Sequence, residues 1–403
     1  IRSGTTLPNE SHLSERGRIM IQKPKIKTNR ALFSSGPCAK YPGWDINNLE
    51  TTILGRSHRS KQPKNFIEYS INLTAELLEL PKDYKVAIVP ASDTGAFELA
   101  MWNLLGSRPI DVFAWESFGK GWVTDIINQL NLSNVNKIEV EYGFLPDLSK
   151  ANPKNDIVFT LNGTTSGVKV PDLNWIDNNR QGLTLCDATS GLFAQNVDWS
   201  KLDVTTFSWQ KVLGGEAQHG MIIMSPRAID RINTYNPDWP MPKIFRIKKS
   251  GKIDESIFTG STINTPSLMC VADYVSALEW AKKSGGLKKL IEIANTNLDI
   301  ITQWVEKNNW ISFLAKDKET ISNTSVCLEF ASKSPDGDDL DTAALSKDIQ
   351  KILEEEQIGY DIGAYRDAPP GLRIWVGPTV EPQDISILLE WIEWAYFSII
   401  QKQ

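Results

Sequence analysis

The sequence predicts an α/β protein: a large domain on a mostly parallel mixed sheet covered by helices, then a smaller α/β C-terminal domain. Three observations predict it. Between residues 85 and 225, short β-rich apolar runs alternate with stretches of helical period. Those runs are apolar nearly throughout, as strands buried on both faces are. After residue 265 the pattern shifts to long amphipathic helices with two further strand-like runs. A chain of 403 residues, 41% hydrophobic and 23% charged, is long enough for a large core and more than one domain.

Residues 1–19 are polar and without period; they read as an extraneous or disordered leader, with Met20 a natural start. The large domain spans 20–300, and the basic run 23–30 reads as its solvated N-terminal arm. The apolar run 85–90 is a strand ending at a turn, and the spacing of Phe97, Ala100, Met101 and Leu104 predicts a helix over 93–105. Strands are expected at 111–116, 137–142, 156–161, 183–187, 204–209 and 220–225, with a helix at 122–130. A helix over 267–286 closes on Gly285 and Gly286, and a second runs 287–308. The small domain, 301–403, has strands at 325–330 and 372–377, helices at 341–356 and 382–401, and an exposed loop at 334–339.

A net charge of −6 argues against a general nucleic-acid binder, while leaving room for a local basic pocket. The cysteines (Cys38, Cys186, Cys270, Cys327) and histidines (His12, His58, His219) are scattered, which gives neither a disulfide framework nor a metal ligand set. No apolar run reaches membrane-spanning length and no signal-like core opens the chain, so the expected compartment is the cytoplasm.

The run 204–209 leads into Gln210 and Lys211, with Gly214 and Gly215 close behind. Ligands bind at strand ends in α/β sheets, and a buried lysine amine can bond an aldehyde cofactor. Alone, the pattern better describes a surface lysine before a glycine turn. Asp187 ends the run 183–187, 24 residues earlier, about one strand–crossover–strand away. Alone, it is equally a helix cap or a turn former. Together, an acid for a pyridine nitrogen and an amine for an aldehyde carbon are what pyridoxal 5'-phosphate (PLP) requires. Ser92, Asp93, Thr94 and Gly95, between a strand and a helix, offer backbone N–H groups to a phosphate. The aspartate suits an anion only if its side chain turns away.

Four stretches carry a resemblance: FSSGPCAKYPGW near the start, GRSHRSK at 55–61, CDATSGLFAQNVDW with FSWQKVLGG within 186–215, and STINTPS at 261–267. From about residue 32 to the terminal helix the chain resembles the phosphoserine aminotransferases, in class V of the fold-type-I PLP enzymes. The resemblance implies that Lys211 bonds the cofactor and carries the proton, that Asp187 meets the pyridine nitrogen, and that Trp122 stacks on the ring. It places Thr164, with Thr165 as the other register, near the phenolic oxygen, and Gln210 at the phosphate. Asn264 and Thr265 match a pair that reaches the PLP phosphate of the neighbouring subunit, which implies a homodimer with shared active sites. His58 and Arg59 match residues that bind the substrate phosphate or the glutamate side-chain carboxylate. Arg373 matches the α-carboxylate anchor and Arg366 a second phosphate contact; arginine suits such anions through its two-pronged donors. The implied reaction is amino transfer from glutamate to 3-phosphohydroxypyruvate, giving O-phosphoserine and 2-oxoglutarate on the way to serine. Two departures stand out: Tyr365 where the family commonly has histidine, and altered spacing to Arg373 across Ala368, Pro369, Pro370 and Gly371.

Rival readings fare less well. An alanine–glyoxylate type of aminotransferase leaves His58 and Arg59 unexplained. A cysteine desulfurase needs a mobile exposed thiol, and Cys186 and Cys327 lie inside strand runs. Intact Lys211, Asp187 and Gln210 argue against a catalytically silent PLP-binding protein, which stays the alternative from another class. A nicotinamide oxidoreductase wants G-x-G-x-x-G after its first strand, and none follows residue 90.

Overall fold

Seven strands form the main sheet: β1 (Lys85–Pro90), β2 (Ile110–Ala114), β3 (Val135–Glu139), β4 (Asp156–Thr160), β5 (Thr184–Asp187), β6 (Val204–Ser208) and β7 (His219–Met224). The computed structural model describes residues 21–401 and, before them, the backbone of two short paired strands, His12–Leu13 and Ile19–Met20. The rest of the leader expected over 1–19 lies outside the described residues. The sheet order is β1-β7-β6-β5-β4-β2-β3. Strand β7 runs antiparallel to both β1 and β6; every other pairing is parallel.

Alternate side chains of the strands enter two separate cores, as a period of two requires. Val86, Ile88, Phe113, Phe159 and Phe207 face one side, which is closed by helices α1 (Lys61–Leu77) and α5 (Leu268–Lys283). Ala87, Val89, Val112, Val158 and Leu185 face the other, closed by α2 (Ser92–Leu104), α3 (Ser117–Thr124) and α4 (Pro226–Thr234). The register sets Asp187 opposite Thr206 on one neighbour and Thr160 on the other. The parallel strands β1, β2, β4, β5 and β6 therefore deliver their carboxyl ends, and β7 its start, to one edge of the sheet.

The C-terminal part is a three-stranded antiparallel sheet, β8 (Ile311–Phe313), β9 (Ser325–Phe330) and β10 (Leu372–Trp375), packed with α7 (Thr342–Glu355) and α8 (Pro382–Ile400). Helix α6 (Gly286–Lys307) runs unbroken through the expected 300/301 boundary. The basic run keeps its lysines exposed, but it is docked rather than free. Lys23 and Lys27 pair with Glu356, the Asn29 amide donates to Asp384 at 2.6 Å, and Trp391 Nε1 donates to the Ile26 carbonyl at 2.7 Å. The Tyr360 and Trp375 amides donate to the Ala31 and Phe33 carbonyls at 2.9 and 3.0 Å, so this segment supplies backbone partners beside β10 that would otherwise be missing.

Candidate active site

The loop after β6 is held rigid at both ends. The Trp209 ring stacks on Tyr274, with centroids 4.5 Å apart and planes within 7°, a contact worth about 1 kcal/mol beyond its buried area. The Gly215 amide donates to the Trp209 carbonyl at 2.7 Å. Gly214 has φ +66°, and a Cβ there would lie 2.1 Å from the Ala39 carbonyl oxygen, so only glycine lets the loop close on residues 38–40. The Cys38 amide in turn donates to the Gln210 carbonyl at 2.8 Å. Lys211 is thereby aimed under Gly36, and its Nζ donates to the Ser35 carbonyl. A Cβ at Gly36 would stand 2.2 Å from Nζ. Burial pushes the Lys211 amine below the usual lysine range; Arg373 pushes the same way, against Cys38 and Asp187.

Asp187 lies 7% exposed at the end of β5. Its Oδ1 accepts from the Thr189 amide and hydroxyl at 3.0 and 2.7 Å, and its Oδ2 accepts from Trp122 Nε1 at 3.0 Å. Trp122 packs against Phe97, with ring centroids 4.8 Å apart. Helix α2 starts from two non-glycine residues in the left-handed region, Ala91 (φ 65°) and Ser92 (φ 59°), and no side chain caps it. This turn sends the Asp93 side chain inward, 6% exposed and facing Asp187, rather than out over the helix end. Burial, then the Asp187 charge, raises the Asp93 pKa well above the usual range, and its Oδ1 has no hydrogen-bond partner. Ser92 Oγ accepts from Gln210 Nε2 at 3.4 Å, beside the first-turn amides of α2, while Gln210 Oε1 is buried without a partner.

The two candidate threonines are both engaged. Thr164 Oγ1 donates to Ser190 at 2.7 Å, and Thr165 Oγ1 donates to Glu116 at 2.7 Å. Glu116 is fully buried and also accepts the Gly119 amide at 2.7 Å, which caps α3, the helix carrying Trp122. Neither Glu116 nor the Gly36 approach to Lys211 was singled out from the sequence. Gly36 lies inside the FSSGPC stretch, which was the available signal; Glu116 had none.

From the small sheet, β10 brings Arg373 close enough to act electrostatically on Lys211 and Cys38. Arg366 is 79% exposed and stands 3.7 Å from Asp367. Among the described residues, His58, Arg59, Asn264 and Thr265 make no hydrogen bond or ion pair with this cluster. His58 is 8% exposed with a buried, unpartnered Nε2, and Arg59, Asn264 and Thr265 are exposed. Their two segments nevertheless meet: Gly260 packs so closely on α1 that a Cβ would lie 2.4 Å from the Lys64 carbonyl. The four residues thus belong to neighbouring segments.

Other features are structural. A cavity of about 490 Å³ opens at the opposite edge of the sheet, lined by Arg108, Arg227 and Arg231. Arg227 pairs with Asp203 and Arg231 with Asp156, so two of its cations are already neutralised. Burial pushes the Cys38 and Cys327 thiols up to about 12, and Cys186 well above its usual value, so none of these three is a ready nucleophile. No group of side chains among the described residues could hold a metal ion, and no described helix is long and apolar enough to cross a membrane.

No family model matches the chain. Phosphoserine aminotransferases of Methanosarcina barkeri and Methanosarcina mazei are 56% and 55% identical to it over 374 residues, covering 93% of this chain and 99% of each relative. The crystal structure of a phosphoserine aminotransferase from Cytophaga hutchinsonii superposes with a TM-score of 0.77 at 22% identity, covering 91% of this chain and 99% of that one, which shows the fold. The chain belongs to the phosphoserine aminotransferase family of PLP-dependent transaminases.

Proposed function

We propose that this chain transfers the amino group of glutamate to 3-phosphohydroxypyruvate, giving O-phosphoserine and 2-oxoglutarate. The observation that carries the reading is the position of Lys211. Its amine lies in the space that glycine leaves at residue 36, in the field of Asp187 and of the incoming Arg373.

The residues present fit PLP. The uncapped start of α2, with Ser92, Thr94 and Gln210, suits a phosphate: amides at a helix N-terminus favour an anion, and the Asp93 carboxyl is turned away from it. Asp187 would hold the pyridine nitrogen, with Trp122 beside it. When bound, PLP supplies an aldehyde for the substrate amine and a protonated ring that takes up electrons from the substrate Cα.

The rest is done by the chain. Lys211, with an amine already below the lysine range, is suited to take a proton from the substrate Cα and to return it. Arg373 is suited to fix the α-carboxylate, and Arg366 the phosphate. His58 and Arg59 serve the same anions, and Asn264 and Thr265 the cofactor phosphate, in the site of a partner subunit. Their place on neighbouring segments, with no hydrogen bond or ion pair to this chain's own Lys211 cluster among the described residues, supports a homodimer with shared sites. The reading keeps a large unit near 20–300 and a small one near 301–403, with α6 common to both and the 21–33 segment packed on the small one. Four unpaired cysteines suit a cytoplasmic protein.

Lys211→Ala tests the reading. The variant is expected to lose the yellow absorbance of lysine-bound PLP and to lose turnover by at least about 10³-fold, as removal of a covalent and acid–base group does. Turnover close to the parent's would sink the assignment.

A further inference from the structure

Arg373 is held in an unusual way. It enters the site from β10 with its Nε buried and unpartnered, and among the described residues no carboxylate pairs with its guanidinium. The contact it does make is with an aromatic face: its Cζ lies 5.4 Å from the centre of the Tyr365 ring. Arg366 Cζ lies at the same distance, 5.4 Å, from that ring. One tyrosine therefore touches both candidate anion-binding arginines. The ring is itself anchored across the site. Phe118 of α3 meets it with centroids 5.6 Å apart, and Asp367, two residues on, accepts from Ser117 Oγ at 3.3 Å. Helix α3 carries Trp122, which bonds Asp187.

We propose that Tyr365 is a positioning residue for substrate binding, whose ring aims Arg373 and Arg366 at the two anionic ends of the substrate; this rests on the function proposed above. An aromatic face attracts a guanidinium without neutralising its hydrogen-bonding edge. A carboxylate partner in the same place would occupy the donors that the substrate needs. For Arg373 the ring fixes direction and leaves the charge available, while Arg366 also has the Asp367 carboxylate 3.7 Å away. Here the phenol acts through its arginines.

The test uses the holoenzyme and separates KM from kcat. Tyr365→Leu keeps bulk and removes the aromatic face. It is expected to raise KM for glutamate and for O-phosphoserine by about tenfold, the equivalent of about 1.4 kcal/mol, with kcat changed far less. Tyr365→Phe, which restores the ring without the hydroxyl, is expected to recover most of that KM. If Tyr365→Leu does not retain PLP, Tyr365→Gln takes its place with the same expectation. Parental KM values in the ring-less variant overturn the inference. So does a Phe variant as impaired as Leu, since the hydroxyl would then be the contact. A parent protein that transaminates neither substrate refutes the proposed function itself, and this inference falls with it.

Discussion

Asp93 separates what can be read from residue types from what needs coordinates. As a residue after a strand it belonged to a phosphate loop. The left-handed turn at Ala91 and Ser92 instead drives it inward against Asp187. Two carboxyls this buried do not both ionise readily, and burial, the larger cause, favours the neutral acid at Asp93. Because its folded pKa is raised, its contribution to stability is full below the ordinary aspartate pKa and is lost as pH rises through the folded value. Asp93→Asn, a neutral mimic, is therefore expected to gain on the parent in urea unfolding of the cofactor-free protein as pH is raised from about 4. It is also expected to bind PLP within about threefold of the parent. A loss of PLP affinity beyond tenfold would mean that Asp93 works as an anion. The placing of Asp187 at the end of β5 and of Lys211 just after β6 was legible because strand ends are readable. The side chain of Asp93 was not, since its direction depends on two dihedral angles.

At the scale of elements, strands and long helices were legible within a few residues. The strands at 85–90 and 325–330 match β1 and β9 end for end. Helix 122–130 was read late: α3 begins at Ser117, capped by Glu116, and its continuation over Asp125–Gln129 is wound wider, with the Leu130 amide reaching back to the Asp125 carbonyl at 2.8 Å. Helices α1 and α4 and strand β8 were not singled out. In α1 the signal was present, since Pro63, Ile67, Ser70, Ile71, Thr74 and Leu77 recur on one buried face. In α4 only Ala228 and Ile232 are buried, too few for a period to emerge. The join of β7 to α5 has a pH signature. His219, 2% exposed, accepts the Ser267 amide at Nε2 over 2.9 Å, which requires a neutral ring. Burial pushes its pKa down from 6.5 to about 4. The folded value lies below the unfolded one, so this stability is present above pH 6.5 and is lost as pH falls towards 4, by about 3 kcal/mol. Urea unfolding of the parent and His219→Gln at pH 7 and pH 4 reads it. An unchanged difference between the two proteins would contradict it.

At the scale of the whole molecule, the sheet and its reactive edge were legible because parallel strands concentrate chemistry at their carboxyl ends. The packing of residues 21–33 on the C-terminal sheet was not, since it joins segments more than 300 residues apart. The proposed shared-site dimer makes a specific prediction. Lys211→Ala and an Asn264→Ala/Thr265→Ala double variant, each impaired alone, should restore about a quarter of parental activity when co-expressed, since half the random dimers hold one intact site. Activity no greater than the sum of the separate variants would place both groups in one chain's site. The central claim, amino transfer through PLP at Lys211 between glutamate and a phosphorylated keto acid, is tested most directly by absorbance. The purified protein with PLP is expected to show the yellow band of the lysine-bound cofactor, to lose it on adding L-glutamate, and to regain it on adding 3-phosphohydroxypyruvate. A band that ignores both compounds would contradict the substrate assignment, and no band at all would contradict the cofactor and the account built on it.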